Sequence, residues 1–267
     1  LGDMNWHNHC GIKTYPIQIA VKFKIPIIVW GEVNWDISGM FTPNDFAEFN
    51  ARVRYEHDLR GFEWHDLIKG NDERDKISEK DMLWTKYPDD ESIAEVGVRG
   101  LFVGNYFKWD PNSHVELMKK EYGWKLREKG FERTYRNYSN LDDIYENGLH
   151  DYLKFVKFGY GRATDHTTKD ILSGLISREE GVELVKKYDH IIPSDLHHWL
   201  NYVDMGEEEF WNIADTFRDP RVWWIEDNKW CKKNIWGKSS SYEKVHLNDS
   251  QKKKFLAKQK KLNFKFF

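Results

Sequence analysis

The sequence has few cysteines, no long apolar run and no strong charge imbalance, and each of these features excludes a class of protein. Two cysteines, Cys10 and Cys231, are too few for a disulfide framework. No stretch approaches the length of a membrane-spanning helix, and no basic-then-apolar leader is seen. The net charge of −3 argues against a general nucleic-acid binder. We therefore expect a cytoplasmic protein that does not insert into membranes.

Motifs that would identify common nucleotide-binding or catalytic sites are also missing. The 267 residues contain no glycine-rich phosphate loop of the P-loop or dinucleotide type, no Gly-x-Ser-x-Gly elbow and no kinase motif set. The chain begins at Leu1 rather than Met, and its first residues already have the pattern of a domain interior. We therefore expect that sequence preceding Leu1 belongs to the same domain.

Aromatic residues, in contrast, are abundant, with 13 Trp, 13 Tyr and 16 Phe. Some must form the core, because a chain of this length can bury a sizeable one. Others suit stacking on the faces of sugars or nucleobases. We interpret Trp223, Trp224 and Trp230 as packing for the C-terminal segment rather than as a binding platform.

The N-terminal part of the sequence predicts an α/β fold. Residues 12–24 predict a helix with Pro16 near its start, because four apolar side chains share one helical face: Ile12, Tyr15, Ile19 and Phe23. The apolar run 27–30 predicts a buried strand of the parallel type, and a second strand is predicted over 100–106. Ligands bind at the carboxyl end of such strands, where Gly31-Glu32 follows. Since two strands make no stable sheet, the missing strands are expected upstream.

The rest of the chain is predicted to be mainly helical. A surface helix is expected over 44–57, followed by a charged excursion over 61–92 in which Ser78 and Asp81 open a short helix. Later helices are expected to start at Ser139, Thr164, Ser177, Ser194 and Gly206. The polar, basic end of the chain is interpreted as a frayed tail. The predicted parts are an α/β domain over 1–110, a helical substrate or partner region over 111–237, and the tail over 238–267.

The cluster His7-x-His9-Cys10 has residue types that bind zinc or iron. On an extended segment, residues 7 and 9 point to the same side. No second cluster such as CxxC or HxxxH supplies further ligands. Three interpretations stay open: a metal site, contacts to a substrate or nucleotide, and a structural cluster. A metal-dependent sugar hydrolase is the function that the first would support.

A second polar cluster follows Phe158-Gly-Tyr-Gly161. Arg162, Asp165, His166 and Lys169 stand at the start of a predicted helix. A helix N-terminus with cations nearby is suited to bind an anion. The alternative is a structural ion pair between Arg162 and Asp165.

Six blocks of the sequence carry a resemblance to a known family. They are Gly2-Asp-Met-Asn-Trp-His-Asn-His-Cys-Gly-Ile12, Pro26-Ile-Ile-Val-Trp-Gly-Glu32, Gly104-Asn-Tyr106, Asn147-Gly-Leu-His-Asp-Tyr152, Lys157-Phe-Gly-Tyr-Gly-Arg-Ala-Thr-Asp165 and Phe217-Arg-Asp-Pro-Arg-Val222. These blocks resemble the N-acetyl sugar amidotransferase family. That family belongs to the PP-loop ATP pyrophosphatase superfamily and serves bacterial surface-polysaccharide and nonulosonic-acid pathways. The resemblance extends from residue 2 to about 237.

The resemblance implies a partial adenine-nucleotide α-hydrolase-like (Rossmann-like) parallel sheet, followed by a mainly helical part, and a defined reaction. ATP with Mg²⁺ would activate the oxygen of a sugar N-acetyl group, and ammonia would then convert that group to an acetamidino group. The ammonia would come from a glutaminase partner, a glutamine amidotransferase with a cyclase-like companion. The substrate would be a nucleotide sugar of lipopolysaccharide or O-antigen biosynthesis, such as a precursor of pseudaminic or legionaminic acid.

The sequence departs from the family's pattern in two features. The Ser-Gly-Gly-Lys-Asp-Ser loop that holds pyrophosphate is absent, as are paired cysteines that resemble a zinc site. In the family both lie upstream of the segment that begins here, which implies that this chain alone is inactive. Within this scheme the candidate residues are His7, His9, Arg162 and Asp165 for catalysis; Gly31, Glu32 and Lys169 for the cofactor; and Asp3, Trp6, Asn105 and His166 for the substrate.

The main alternative comes from a different functional class. A non-catalytic carbohydrate-binding or partner-docking module would also use the abundant aromatic residues as a binding surface. The sequence preceding Leu1 distinguishes the two hypotheses, because a Ser-Gly-Gly-Lys-Asp-Ser block after a predicted strand would favour the enzyme.

Overall fold

The computed structural model describes residues 2–31, 48–63, 65–66, 78–107, 110–138 and 145–262. They form two compact units. The N-terminal unit is Asn5–Trp124, and the C-terminal unit is Lys125–Phe267 together with Leu1–Met4. The division after Trp124 differs from the boundary predicted at residue 110, because residues 111–124 group with those that precede them.

Helix α1 (Trp6–Phe23) starts earlier than the sequence predicts. Residues 6–10 were expected to be a loop, but Trp6 and Cys10 lie one turn apart and are buried in one cluster with Leu59 and Met82. Burial therefore extends the helix through a polar stretch. As a result, Pro16 lies in the helix interior rather than near its start.

The buried face of α1 is not the predicted apolar stripe. Ile12, Tyr15 and Phe23 are exposed, whereas the buried residues include Lys13, Thr14, Ile17 and Ala20. The Lys13 Nζ lies 4.4 Å from the centroid of a Trp30 ring. The lysine stem and its cation thus pack on an aromatic ring, a contact that a purely apolar pattern does not reveal.

Strands β1 (Ile27–Trp30) and β2 (Arg99–Phe102) form the predicted parallel pair, with Ile27 opposite Arg99 and Trp30 opposite Phe102. The α/β class is thereby confirmed, although a sheet of this size is only loosely consistent with a Rossmann-like one. The prediction that β1 is buried is wrong for half of its residues, because Ile27 and Val29 are exposed. Helix α2 (Asp90–Val96) precedes β2.

The remaining N-terminal unit is built from short helices. A π-helix (Val53–Asp58) and a 3₁₀-helix (Glu79–Thr85) lie between the strands, and a short 3₁₀-helix (Val103–Asn105) follows β2. Ser78 opens the 3₁₀-helix Glu79–Thr85 as predicted, since its N–H donates to Asp81 at 2.8 Å. Val53 is buried, which corrects the prediction of a surface helix over the described part of 44–57. Helix α3 (Pro111–Tyr122) lies in the region 111–237 that was predicted to be helical, but it was not predicted as a separate helix.

Five helices open the described C-terminal unit: α4 (Asn147–Phe158), α5 (Arg162–Leu172), α6 (Arg178–Tyr188), α7 (Asp195–Tyr202) and α8 (Glu207–Asp215). The predicted starts at Ser177, Ser194 and Gly206 are confirmed. Thr164 lies inside α5, which begins after Gly161. Ser139 lies outside the described residues.

The C-terminal unit ends in an antiparallel sheet, which the sequence analysis missed. Its strands are β3 (Trp223–Glu226), β4 (Lys229–Lys233) and β5 (Ser239–Lys244), and α9 (Asp249–Lys261) follows. The prediction of a frayed tail is therefore wrong for residues 239–261. The Phe255 ring of α9 is buried 5.0 Å from the Trp230 ring, which fixes the helix to the sheet.

Aromatic side chains dominate the core of the C-terminal unit. Trp223 and Trp230 are fully buried beside Tyr152, Phe155 and Trp211, as the sequence interpretation expected of the two tryptophans. Through the described ranges, no helix combines the length and the apolar character that crossing a bilayer requires.

Candidate functional site

The predicted site residues are divided between the two units. Glu32 lies outside the described residues. The N-terminal unit contains Trp6, His7, His9, Cys10, Gly31 and Asn105, and the C-terminal unit contains Asp3, Arg162, Asp165, His166 and Lys169.

The His7, His9 and Cys10 cluster is helical, not extended, and this separates its side chains. Residues two apart on a helix point about 200° from each other, so His7 and His9 do not share a side. His7 is exposed beside the Trp84 ring, whereas the buried Cys10 thiol donates to the Asp58 carbonyl at 3.2 Å. Within the ranges that the structure covers, no three His, Cys, Asp or Glu side chains form a group suited to a metal ion.

The other candidates of the N-terminal unit have different surroundings. Trp6 is 3% exposed, and its indole N–H donates to the Leu59 carbonyl at 3.0 Å. Its contacts are therefore those of a core residue. Gly31 and Asn105 follow β1 and β2, which places both at the carboxyl edge of the parallel pair, where the sequence analysis expected a ligand.

A polar cavity of about 130 Å³ lies in the C-terminal unit, where the first turns of α4, α5 and α7 meet the segment 127–134. Arg162 is the predicted site residue that lines it. Four basic and three acidic side chains contribute to the lining: Arg127, Lys129, Arg133 and Arg162, and Glu132, Asp151 and Asp195. Donors and acceptors of both signs thus surround a space that is small but not apolar.

Arg162 is held in the cavity wall by a bidentate ion pair. Its Nε donates to both carboxylate oxygens of Asp151 at 2.9 and 3.0 Å, and Nη2 donates to Oδ1 at 2.6 Å. One turn further along the same two helices, Lys154 donates to both oxygens of Asp165 at 2.7 and 2.6 Å. The alternative of an Arg162–Asp165 pair is therefore not the observed one. Arg162 and Asp165 each form an ion pair with a residue of α4 instead.

A carboxylate of the protein already binds the N-terminus of α5. The Asp189 carboxylate accepts the N–H of Gly161 at 2.9 Å and the N–H of Thr164 at 3.1 Å, and the Thr164 hydroxyl also donates to it. A Cβ on Gly161 would lie 2.8 Å from an Arg133 nitrogen, so glycine permits this close approach. At the helix N-terminus where the sequence predicted an anion site, the bound anion is therefore a carboxylate of the protein itself.

The His166 side chain is buried and is largely inaccessible to solvent. Its Nδ1 is 2.6 Å from the Thr134 hydroxyl, and the Tyr135 ring meets its ring edge-on. Burial, followed by the Arg136 and Arg162 guanidinium groups, lowers the pKa of His166 to about 2. The imidazole is therefore neutral at physiological pH and serves as a core hydrogen-bonding group.

The last two predicted residues do not line the cavity. Lys169 is half-buried in the last turn of α5. The Asp3 carboxylate lies 3.9 Å from the Nδ1 of His150 on α4. Both belong to the C-terminal unit with Arg162, but the cavity brings Arg162 together with residues that were not predicted.

Arg133 and Asp195 are cavity residues that the sequence analysis missed. The Arg133 guanidinium stacks 4.9 Å above the Tyr152 ring and donates to the Asp189 carbonyl at 2.6 Å. The Asp195 carboxylate accepts the Gly148 N–H at 2.7 Å and so caps α4 from the start of α7. Asp195 directly follows the predicted helix start at Ser194, which was the one local signal available. Arg133 lies in an irregular segment that gave none.

Replacing Asp195 with Asn is expected to stabilise the protein at pH 8 and to have no effect at pH 3. Burial raises the pKa of Asp195 to about 6, so its stabilising contribution is complete below pH 3.8 and is lost as pH rises through 6. Asn keeps the acceptor for Gly148 and removes the charge. After allowance for solvent screening, we expect a gain of about 1 kcal/mol in the free energy of unfolding at pH 8.

Urea unfolding at both pH values measures this effect, and Asp219→Asn provides a control of opposite sign. The hydrogen bond from Arg221 lowers the pKa of Asp219, so its contribution is present at pH 8 and lost in acid. The Asp219 variant should therefore be less stable than the wild type at pH 8. An Asp195→Asn protein that loses stability at pH 8 would contradict the prediction.

The match to known proteins covers most of this cavity. Residues 132–236 match the family model described as LPS biosynthesis protein WbpG-like, C-terminal domain. The match supports a surface-polysaccharide biosynthesis family. It includes Arg133, Asp151, Arg162 and Asp195, together with the two blocks 147–152 and 157–165. No curated protein matches the chain.

Proposed function

We propose that the chain contains the sugar-binding part of an ATP-dependent amidotransferase, which converts the N-acetyl group of a nucleotide sugar to an acetamidino group in surface-glycan biosynthesis. The observation that carries the proposal is the polar cavity at Arg162. Its lining draws on two of the six blocks that resemble N-acetyl sugar amidotransferases, 147–152 and 157–165, and it lies largely within the segment that matches an LPS biosynthesis family.

The size of the cavity supports an acetamido group as its occupant. An engineered apolar cavity of about 150 Å³ binds benzene, so about 130 Å³ admits a group of a few heavy atoms and not a whole nucleotide sugar. The pyranose ring and the nucleotide would lie outside. In this arrangement only the acetamido group would be buried in the cavity.

The polar lining supports the same occupant. An acetamido group offers a carbonyl oxygen as acceptor and an N–H as donor. Arg162 would donate to that oxygen, because a guanidinium fixed by Asp151 is preorganised to bind developing negative charge. The Asn147 amide, which also lines the cavity, would accept the N–H. Once ATP has adenylylated that oxygen, ammonia from the glutaminase would displace it as part of AMP, and an NH group would take its place on the carbon.

The described residues do not fit ATP or Mg²⁺. The N-terminus of α5 is occupied by Asp189, and Lys169 lies in the last turn of that helix. No phosphate-binding loop occurs in residues 1–267, and a Cβ on Gly31 would meet none of the described residues within 4 Å. The nucleotide, its Mg²⁺ and any zinc are therefore assigned to no described residue, and the proposal concerns the acetamido group alone.

The test uses the whole protein with ATP, Mg²⁺, ammonium chloride and a nucleotide-linked N-acetylhexosamine. Mass spectrometry should detect the exchange of one oxygen for an NH group, and the exchange should stop when ATP is omitted. A sugar with a hydroxyl in place of the acetamido group is the control and should remain unchanged. If the protein binds the acetylated sugar but exchanges no oxygen, whether ammonium or the glutaminase supplies the ammonia, the result would instead support the carbohydrate-binding module.

A further inference from the structure

A second, open groove of about 500 Å³ lies in the C-terminal unit between the end of α6 and strand β5. Trp236, from the turn between β4 and β5, forms one wall with Ser240, Ser241 and Tyr242. Lys186, His190 and Ile192 lie opposite, on α6 and the segment after it. The volume falls within the range of about 300 to 1,000 Å³ that small-molecule sites occupy.

The charged groups of this groove are already paired within the protein. Lys186 donates to Glu183 on the same helix, and its Nζ lies 5.5 Å from the Trp236 ring centroid. Glu243 accepts from the Tyr152 hydroxyl at 2.7 Å and from Arg218 at 3.3 Å. The groove thus contains one basic and one acidic side chain, each with its own partner. An ionic ligand such as a phosphate would gain little there.

The wall of the groove is held in place by the core. The Tyr242 hydroxyl donates to Asn234 at 2.8 Å, and its ring packs edge-to-face on Phe155 and Trp223. The Ser240 oxygen accepts from the Asn234 amide at 2.8 Å, and its side chain also hydrogen-bonds to Tyr242, so Ser240 helps to hold the wall in place. A rigid wall of aromatic rings and hydroxyl groups lowers the entropy lost on binding.

We propose that this groove binds an uncharged pyranose ring, with Trp236 as the stacking platform. A pyranose has an apolar face that suits an indole ring and hydroxyls that suit serine and imidazole groups. The groove and the Arg162 cavity share no lining residue. The proposal therefore concerns a second carbohydrate site and does not depend on the amidotransferase reaction.

Saturation-transfer NMR with uncharged methyl pyranosides of gluco, galacto, manno and 6-deoxy configuration tests the proposal. These probes have no acetamido group, so they do not report on the cavity. At least one of them should bind, and Trp236→Ala should weaken its binding about tenfold, or 1.4 kcal/mol. Trp224→Ala is the matched control, because Trp224 lies on β3 outside the groove. The Trp224→Ala protein should bind the pyranoside as tightly as the wild type does.

Three results would overturn the proposal. They are the absence of binding by every pyranoside, equal binding by the wild type and the Trp236 variant, and displacement of the bound pyranoside by uridine monophosphate. Circular dichroism of the Trp236 variant should match the wild type, since Trp236 lies in a surface turn. If the variant is misfolded, Ser241→Trp takes its place: it fills the groove from an exposed position on β5 and should abolish binding.

Discussion

Replacing Arg162 with alanine is expected to abolish formation of the acetamidino sugar, with a loss of about a hundredfold or more in turnover by the whole protein. The guanidinium lines the cavity, and Asp151 fixes its direction through three hydrogen bonds. A preorganised donor at the carbonyl oxygen stabilises charge that develops during the reaction. Product formation measured by mass spectrometry, with the sugar varied, separates kcat from KM.

A loss of activity in this variant has a structural explanation that must be tested separately. The Asp151 side chain is 3% exposed, so removal of Arg162 leaves a buried carboxylate without its bidentate partner. The double variant Asp151→Asn with Arg162→Gln removes both charges and keeps hydrogen-bonding groups in both places. It should recover the thermal stability of the wild type but not its activity. Recovery of both would show that Arg162 acts only through the fold.

Lys154→Ala is the matched control for the Arg162 variant. The Lys154–Asp165 pair joins the same two helices one turn away, and neither residue lines the cavity. The side chains are 27% and 21% exposed, so the pair is expected to contribute about 1 kcal/mol or less to stability. Turnover should stay near that of the wild type. A loss as large as that of Arg162→Ala would argue against a specific role for the cavity.

Elements with strong local signals could be predicted from the sequence. Helix α6 opens with the capping box Ser177–Glu180, in which each side chain binds the backbone of the other. Strands β1 and β2 each combine apolar side chains with a flanking Pro or Gly. These signals lie within a few residues of the element they define, so no knowledge of the tertiary structure is needed.

Elements whose ends depend on distant contacts could not be predicted in the same way. The first turn of α1 is polar in sequence and is fixed by Trp6, whose indole hydrogen-bonds to Leu59. Helix α9 is strongly basic and has Phe255 as its buried residue, so its pattern is that of a solvated tail. The β3–β4 hairpin, in contrast, could have been predicted from the residue types in its turn. Asp227 and Asn228 both adopt left-handed backbone (φ 47° and 57°), a conformation that these residue types tolerate.

The candidate site was predicted in part for a related reason. Arg162 stands in a glycine-flanked, polar block, which is a local pattern. The residues that determine its surroundings come from elsewhere: Asp151 from α4, Asp189 from the end of α6 and Asp195 from α7. No local pattern indicates that a carboxylate of the protein occupies the N-terminus of α5. Only the tertiary structure shows that Arg162 pairs with Asp151 and lines a small polar cavity.

Replacing Arg218 with methionine is expected to lower the free energy of unfolding by about 3 to 5 kcal/mol. The guanidinium is fully buried, 4.3 and 4.8 Å from the Trp223 and Trp230 ring centroids. It donates to Asp215 at 2.9 Å and to Glu243 at 3.3 Å. Methionine fills the volume but leaves the buried Asp215 carboxylate and the partly exposed Glu243 carboxylate without the guanidinium. Urea unfolding followed by circular dichroism measures the loss.

Arg221→Met is the control for this variant, since Arg221 lies three residues further along and also pairs with an aspartate, in its case bidentately. Its side chain is 60% exposed, so water replaces the lost partner and the cost should be about 0 to 1 kcal/mol. Equal losses in the two variants would show that burial does not set the strength of these pairs. A large difference would identify the Arg218 network, which includes Glu243 beside the Trp236 groove, as the polar centre that holds α8 against the C-terminal sheet.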